Sequence, residues 1–269
     1  MRFLPFLAAL APFVWSAEAA SASHHSPAPS TTALPGPGNF SFEELYELQK
    51  LFLNNFTYPY NAEQAESINS TLFAENVQGR VDVTRTFDGR ELNTEYMFGL
   101  FANLAANPNA ISLLGVPLSY EIVQFAANQY ITSATARILF NFTSINVLTN
   151  VEVGLWHAWN SEGQVMMYDA TFKWFEWLLD FVVGSSFPLL GVNTTTEATA
   201  ALTVLLAESI CATEVQYCLD DNQQYSNYTS CYEFLTEGVR FGEAYELGRN
   251  TLLCRMVHQN MVPYRPEVH

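Results

Sequence analysis

The chain has 269 residues, 49% apolar and only 14% charged, which suffices for one large domain or two modest ones and excludes a chain disordered throughout. Eleven basic residues stand against 27 acidic ones, a formal net charge of −16. Phosphate backbones and anionic lipid surfaces repel such a chain, so neither nucleic acid nor a membrane surface is an expected partner. Arg2 followed by the apolar run from Phe3 to Trp15 reads as a signal peptide over 1–19, too short to span a bilayer. Ala17-Glu18-Ala19 and Ala20-Ser21-Ala22 both offer small-x-small cleavage sites. A Pro-, Ser- and Ala-rich stalk over 20–39 follows.

Ordered structure is expected from Phe40. Ser41-Phe42-Glu43-Glu44 is a capping-box pattern before Leu45, Leu48, Leu51 and Phe52, which predicts an amphipathic helix. A second helix is expected over about 62–73, with Ala65, Ile68 and Leu72 on one face. Val77, Gly79, Val81 and Val83 alternate as a strand, and Asp88-Gly89 turns the chain. Leu92, Tyr96, Leu100 and Leu104 predict a third helix over 90–105, ended by Asn107-Pro108.

Four strands are then expected, at about 118–127, 131–142, 151–159 and 164–174, as an antiparallel meander. Ala134, Ala136, Ile138, Phe140 and Phe142 should face inward on the second. Val151, Val153, Leu155, His157 and Trp159 share a face of the third; Val165, Met167, Asp169 and Thr171 share one on the fourth. Asn160-Ser161-Glu162-Gly163 joins those two as a hairpin. The apolar stretch from Trp174 to Val192 carries Glu176 and Asp180, so no membrane span is expected there. Helices are expected at 196–218, 232–238 and 243–260, before Pro263 and Pro266 end regular structure.

N-x-S/T sequons at Asn39, Asn55, Asn69, Asn141, Asn193 and Asn227 accompany the leader, so a secreted, extracellular glycoprotein is expected with each used Asn at the surface. Cys211, Cys218, Cys231 and Cys254 predict two bridges in an oxidising compartment, with all three connectivities open. Their spacing has no C-x2-C pair, which argues against zinc.

The order helix, helix, strand, helix, meander resembles the NTF2-like superfamily and, within it, the SnoaL-like group. Leu72-Phe73-Ala74-Glu75-Asn76-Val77, Phe87-Asp88-Gly89-Arg90-Glu91-Leu92 and Asn160-Ser161-Glu162-Gly163-Gln164-Val165 resemble that group's helix-to-strand junction, helix start and last hairpin. The resemblance implies an α+β cone over 40–185, a curved antiparallel sheet packed on three helices around an apolar pocket. A helical, cysteine-containing extension over 186–269 is added to it. With its leader and extension, the chain resembles secreted fungal SnoaL-like proteins of unknown function. Their tails often carry further cysteine, so stopping at His269 reads as a short or truncated member.

The resemblance implies no single activity, since the superfamily holds isomerases, dehydratase-like lyases, polyketide cyclases and binding domains. No G-x-S-x-G, H-E-x-x-H, P-loop or G-x-G-x-x-G occurs, so no nucleotide or other cofactor and no metal is expected. His157 and Asp169 are the candidate acid–base pair, provided the hairpin pairs Leu155 with Asp169 and His157 with Met167; a core histidine and a strand-end carboxylate are the alternative. Asp82 and Arg85 are placed near a pocket mouth, with a surface ion pair as the plainer role. Tyr96, Trp156, Trp159 and Tyr168 are candidate pocket residues, or else core. Cys254, His258 and Met261 share a helix face that suits a soft metal unless Cys254 is bridged. The leading expectation is binding of a small apolar molecule. A cofactor-free lyase or isomerase, or a structural protein with a filled cone, are the alternatives.

Overall fold

The computed structural model describes residues 34–107 and 111–269. The leader and residues 20–33 of the stalk lie outside the described residues. Residues from Pro35 onward form one compact unit.

Helix α1 (Phe42–Phe56) starts at the capping box: Ser41 Oγ accepts from the Glu44 amide, and the Glu44 carboxylate accepts from the Ser41 amide. Helix α2 (Tyr60–Ala65) is shorter than the spacing predicts. Ile68 takes a left-handed backbone (φ 48°), so the apolar spacing of Ala65, Ile68 and Leu72 is that of a turn. The chain then extends into strand β1 (Phe73–Val81). After β2 (Thr86–Asp88), the third helix runs as α3 (Arg90–Thr94), a π-turn (Glu95–Gly99) and α4 (Leu100–Ala106).

Strands β3 (Val116–Asn128), β4 (Ile131–Phe142), β5 (Val147–Trp159) and β6 (Val165–Phe172) complete a six-stranded sheet, order β2-β1-β6-β5-β4-β3. The meander is antiparallel as expected, but β1 joins β6 in parallel, so the sheet is mixed. The predicted inner faces of β4 and β5 are buried. Together with the N-terminal helices against its inner face, this sheet is the NTF2-like cone. At the hairpin after β5, Asn160 Oδ1 accepts from the Glu162 and Gln164 amides and Gly163 turns at φ +73°, a side-chain-stapled turn.

Helix α5 (Phe175–Ser185) closes the 40–185 segment, and the extension comprises α6 (Phe187–Leu190), α7 (Thr195–Tyr217), α8 (Tyr228–Glu233) with a π-turn after it, and α9 (Leu252–His258). A single helix over 243–260 does not form. Gly242 sits at φ +105°, and Gly248 packs so tightly on the Thr84 backbone that an added Cβ would lie 2.5 Å from its carbonyl oxygen, so this stretch is turns until Thr251 caps α9. By length and composition α7 suffices to cross a membrane. In the fold, Ala198, Leu202, Leu206, Ala207 and Ile210 form its buried stripe, and it packs on α5, α8 and α9.

Cys211 and Cys231 form a disulfide that ties α7 to α8. The second expected bridge is not formed: Cys218 and Cys254 are free thiols. Burial, with help from a hydrogen bond to Glu214, pushes the Cys218 thiol up to about 12, so it is inert at neutral pH. Burial also raises the Cys254 thiol. The bridge spans 20 residues. Cys211→Ala with Cys231→Ala should therefore lower unfolding stability by about 3 kcal/mol, read from urea melts. Equal loss from a reducing agent acting on the unaltered chain identifies the bridge itself as the cause.

Candidate functional site

An apolar cavity of about 90 Å³ lies in the cone. Val151, Val153 and Leu155 of β5 and Ile138 and Phe140 of β4 form its sheet wall; Phe52 and Phe56 of α1 and Met97, Leu100 and Phe101 close it from the helix side. Val81, Val83 and Leu113 add to the lining, and Leu178, Leu179 and Val182 of α5 with Leu247 and Val257 from the extension complete one side of it. The Leu247 amide donates to the Val83 carbonyl at 3.1 Å, which pins that wall to the end of the first strand. Thr84 and Tyr96 are the two hydroxyl-bearing side chains of the lining, and every other lining side chain is apolar.

Of the candidate pocket residues, Tyr96 lines this cavity. Trp159 and Tyr168 are core elsewhere in the cone, and Trp156 pairs with Asp169 across the strands on the opposite face. His157 and Asp169 are not brought together. The hairpin pairs His157 with Tyr168 and Trp156 with Asp169, one residue from the register expected. Met166 is left over between the pairs Trp159–Val165 and Ala158–Met167, a bulge that reverses the faces of β6 beyond it. Tyr168 and Ala170 consequently point inward, and Asp169 points outward to an ion pair with Arg80 on the neighbouring strand. Exposed pairs of this kind contribute little.

His157 is fully buried. Gln49 Oε1 accepts from both the Thr132 hydroxyl and His157 Nδ1, each at 2.9 Å, and Trp159 Nε1 donates to the Thr132 hydroxyl at 3.1 Å. The Thr132 proton goes to Gln49, so His157 carries its own proton on Nδ1 and keeps a lone pair on Nε2. That Nε2 and the Tyr168 hydroxyl have no hydrogen-bond partner among the described residues. Burial holds the imidazole down at about 3, neutral at any ordinary pH. Among the described residues Asp82 forms no ion pair with Arg85; its carboxylate accepts from the Val83 and Phe172 amides and fastens the end of β6.

A chain of polar side chains that the sequence did not single out leads away from Tyr96. The Tyr96 hydroxyl is 2.8 Å from His258 Nε2; His258 Nδ1 is 3.2 Å from His269 Nδ1; His269 Nε2 is 3.1 Å from Glu95 Oε2. Arg265 grips both oxygens of Glu95 at 2.7 and 2.6 Å and reaches Glu91 at 2.8 Å. Glu95 is fully buried. Burial pushes its carboxyl up, but the hydrogen bonds from Arg265 and His269 outweigh that and hold it below the ordinary range. Burial lowers His258 to about 4, with neighbouring His269, Arg85 and Arg255 adding to the shift. Burial raises the Tyr96 phenol. The π-turn carries Glu95 and Tyr96 side by side, and such insertions in helices recur at functional sites. His258 had stood out only as a neighbour of Cys254 and Met261. Among the described residues no cluster of three or more His, Cys, Asp or Glu is placed to hold a metal ion.

The curved sheet, the helices packed on it and the apolar cavity between them give the α+β cone of the NTF2-like fold. The chain belongs to the BfoA family: the model of the BfoA N-terminal domain matches residues 50–170 and that of the family's C-terminal domain residues 174–269. It is 55% identical over 232 residues to bifonsecin B biosynthesis cluster protein A of Aspergillus brasiliensis, covering 86% of this chain and 76% of that one. It is 53% identical to aurasperone B biosynthesis cluster protein A of Aspergillus niger, covering 86% and 74%. Similar solved structures include a putative isomerase of the SnoaL-like family from Agrobacterium tumefaciens (11% identity, 49% of this chain and 99% of that one, TM-score 0.34). A putative SnoaL-like polyketide cyclase from Jannaschia is also similar (10% identity, 53% and 91%, TM-score 0.37).

Proposed function

We propose that the protein is a secreted glycoprotein that binds a small apolar molecule in the cone, in the service of a biosynthetic cluster like those its relatives are named for. The observation that carries this reading is the cavity: an apolar space with two hydroxyl-bearing side chains in its lining, between the sheet and the helices packed on it. Sites for small molecules are mostly apolar with a few placed polar groups. At about 90 Å³ the chamber is smaller than the roughly 150 Å³ of an apolar cavity that admits benzene, and well below the roughly 300 Å³ of a typical ligand site. Accommodating anything larger therefore requires the helical side chains of the lining to move apart from the sheet. The small volume also favours the alternative that the cone is a filled, structural core. The sequons at Asn39, Asn69, Asn193 and Asn227 are exposed and those at Asn55 and Asn141 half-buried, which suits glycan attachment at the first four best.

The test is native mass spectrometry of the full chain purified from culture, with solvent extraction of whatever travels with it. Binding predicts an apolar molecule that co-purifies and is lost in Val153→Phe, which fills the chamber. A chain that stays empty, even after exposure to a library of apolar aromatic compounds, establishes the filled cone instead.

A further inference from the structure

We propose that the cavity selects ligands that bring a hydroxyl donor, a phenol or an enol, over ligands that offer only carbonyl acceptors. The inference rests on the cavity being the ligand site and deepens that reading. It follows from where the protons of the wall's two hydroxyls are committed. Thr84 Oγ1 donates to the Val81 carbonyl at 3.3 Å, so it has lone pairs left over and no proton.

The Tyr96 proton is fixed from further away. Glu95, held ionised by the two-pronged grip of Arg265, can only accept, so a neutral His269 must place its proton on Nε2, facing that carboxylate. His269 Nδ1 is then an acceptor, and His258 must donate to it from Nδ1. His258 Nε2 is left as an acceptor, and the Tyr96 hydroxyl donates to it. Every bond in the series points toward Glu95. The phenol oxygen keeps only lone pairs for anything in the cavity.

A carboxylate three hydrogen bonds away thus dictates which half of a hydrogen bond a ligand must supply. Reversing the series would set a lone pair of His269 against the carboxylate. A carbonyl ligand would meet lone pairs at both hydroxyls and leave its own oxygen unpaired in an apolar chamber, which is costly.

The experiment uses the full chain at roughly pH 8, with toluene, phenol and benzaldehyde as probes of similar size, and reads dissociation constants by ligand-observed NMR. Each is normalised to that probe's transfer from water to hydrocarbon. The expected result is phenol bound about tenfold more tightly than benzaldehyde, the size of one hydrogen bond. Tyr96→Phe, which keeps the ring packed on Phe87, should bring the two within about twofold and leave toluene unchanged. His258→Phe frees the Tyr96 proton and should turn the preference toward benzaldehyde. If toluene binds and phenol has no advantage in the unaltered chain, the acceptor-only wall is overturned and the ligand site stands. If none of the three binds, the ligand site itself is overturned.

Discussion

Taking the protein from pH 6.5 to pH 4 should cost it several kcal/mol of stability, enough to unfold a chain of ordinary stability. Two buried histidines set this window. In the unfolded chain each imidazole takes up a proton near 6.5; in the fold His258 does so only at about 4 and His157 at about 3. Below 6.5 the unfolded state binds protons that the folded state refuses, so stability falls as pH falls. At about 1.4 kcal/mol per pH unit, each histidine contributes on the order of 3 kcal/mol across the window. Glu95 acts lower down. Its folded value is depressed, so its contribution is present above 4.5 and is lost only as pH falls through that folded value. Urea melts at several pH values from 7 to 4 measure the slope. The protonation of surface carboxylates opposes it by relieving the net charge of −16, so the decisive comparison is with His157→Gln. That variant is less stable at pH 7 but should show a shallower loss on acidification. An equal slope in both chains rules His157 out as a source of the effect.

Much of the fold was legible because it rests on local patterns. The capping box at Ser41 and Glu44, the alternation along β4 and β5 and the stapled turn at Asn160 each need only a few neighbouring residues to specify them. What failed depended on single residues out of phase. The extra residue at Met166 is invisible in composition, yet it turns Asp169 from the core to the surface and separates it from His157. Ile68 carries a helical apolar spacing but sits in a turn. Among the candidate pocket residues, Tyr96 was found because it lies on the periodic face of a long helix. Its partners were not: His258 is 162 residues away, and Glu95 meets Arg265 across 170. Nothing local marks such a set. The same holds for the cysteines, where their even number suggested two bridges but only Cys211 and Cys231 come within bonding distance.

Replacing Arg265 with alanine should destabilise the protein by about 3–5 kcal/mol at neutral pH, the usual cost of stripping the partner from a buried charge. Arg265 supplies two of the three hydrogen bonds recorded on the buried carboxylate of Glu95, and His269 supplies the third. Without the guanidinium, burial governs the carboxyl and drives its pKa up, so the side chain folds away protonated. The loss should therefore shrink as pH falls toward the ordinary carboxylate range, opposite in sign to the histidine effect. Pairing Arg265→Met with Glu95→Leu removes both charges and should restore part of the lost stability, because an apolar pair of similar volume needs no desolvated charge. A single Arg265→Ala effect below about 1 kcal/mol would show the pair to be worth no more than a surface bridge. The same substitution reaches the cavity: a protonated Glu95 can donate to His269 Nε2, the series of bonds can then run the other way, and the phenol preference attributed to Tyr96 should weaken with it. Stability and ligand choice are therefore coupled through one buried carboxylate, and Arg265→Ala measured by urea melt and by phenol binding tests both ends of that coupling.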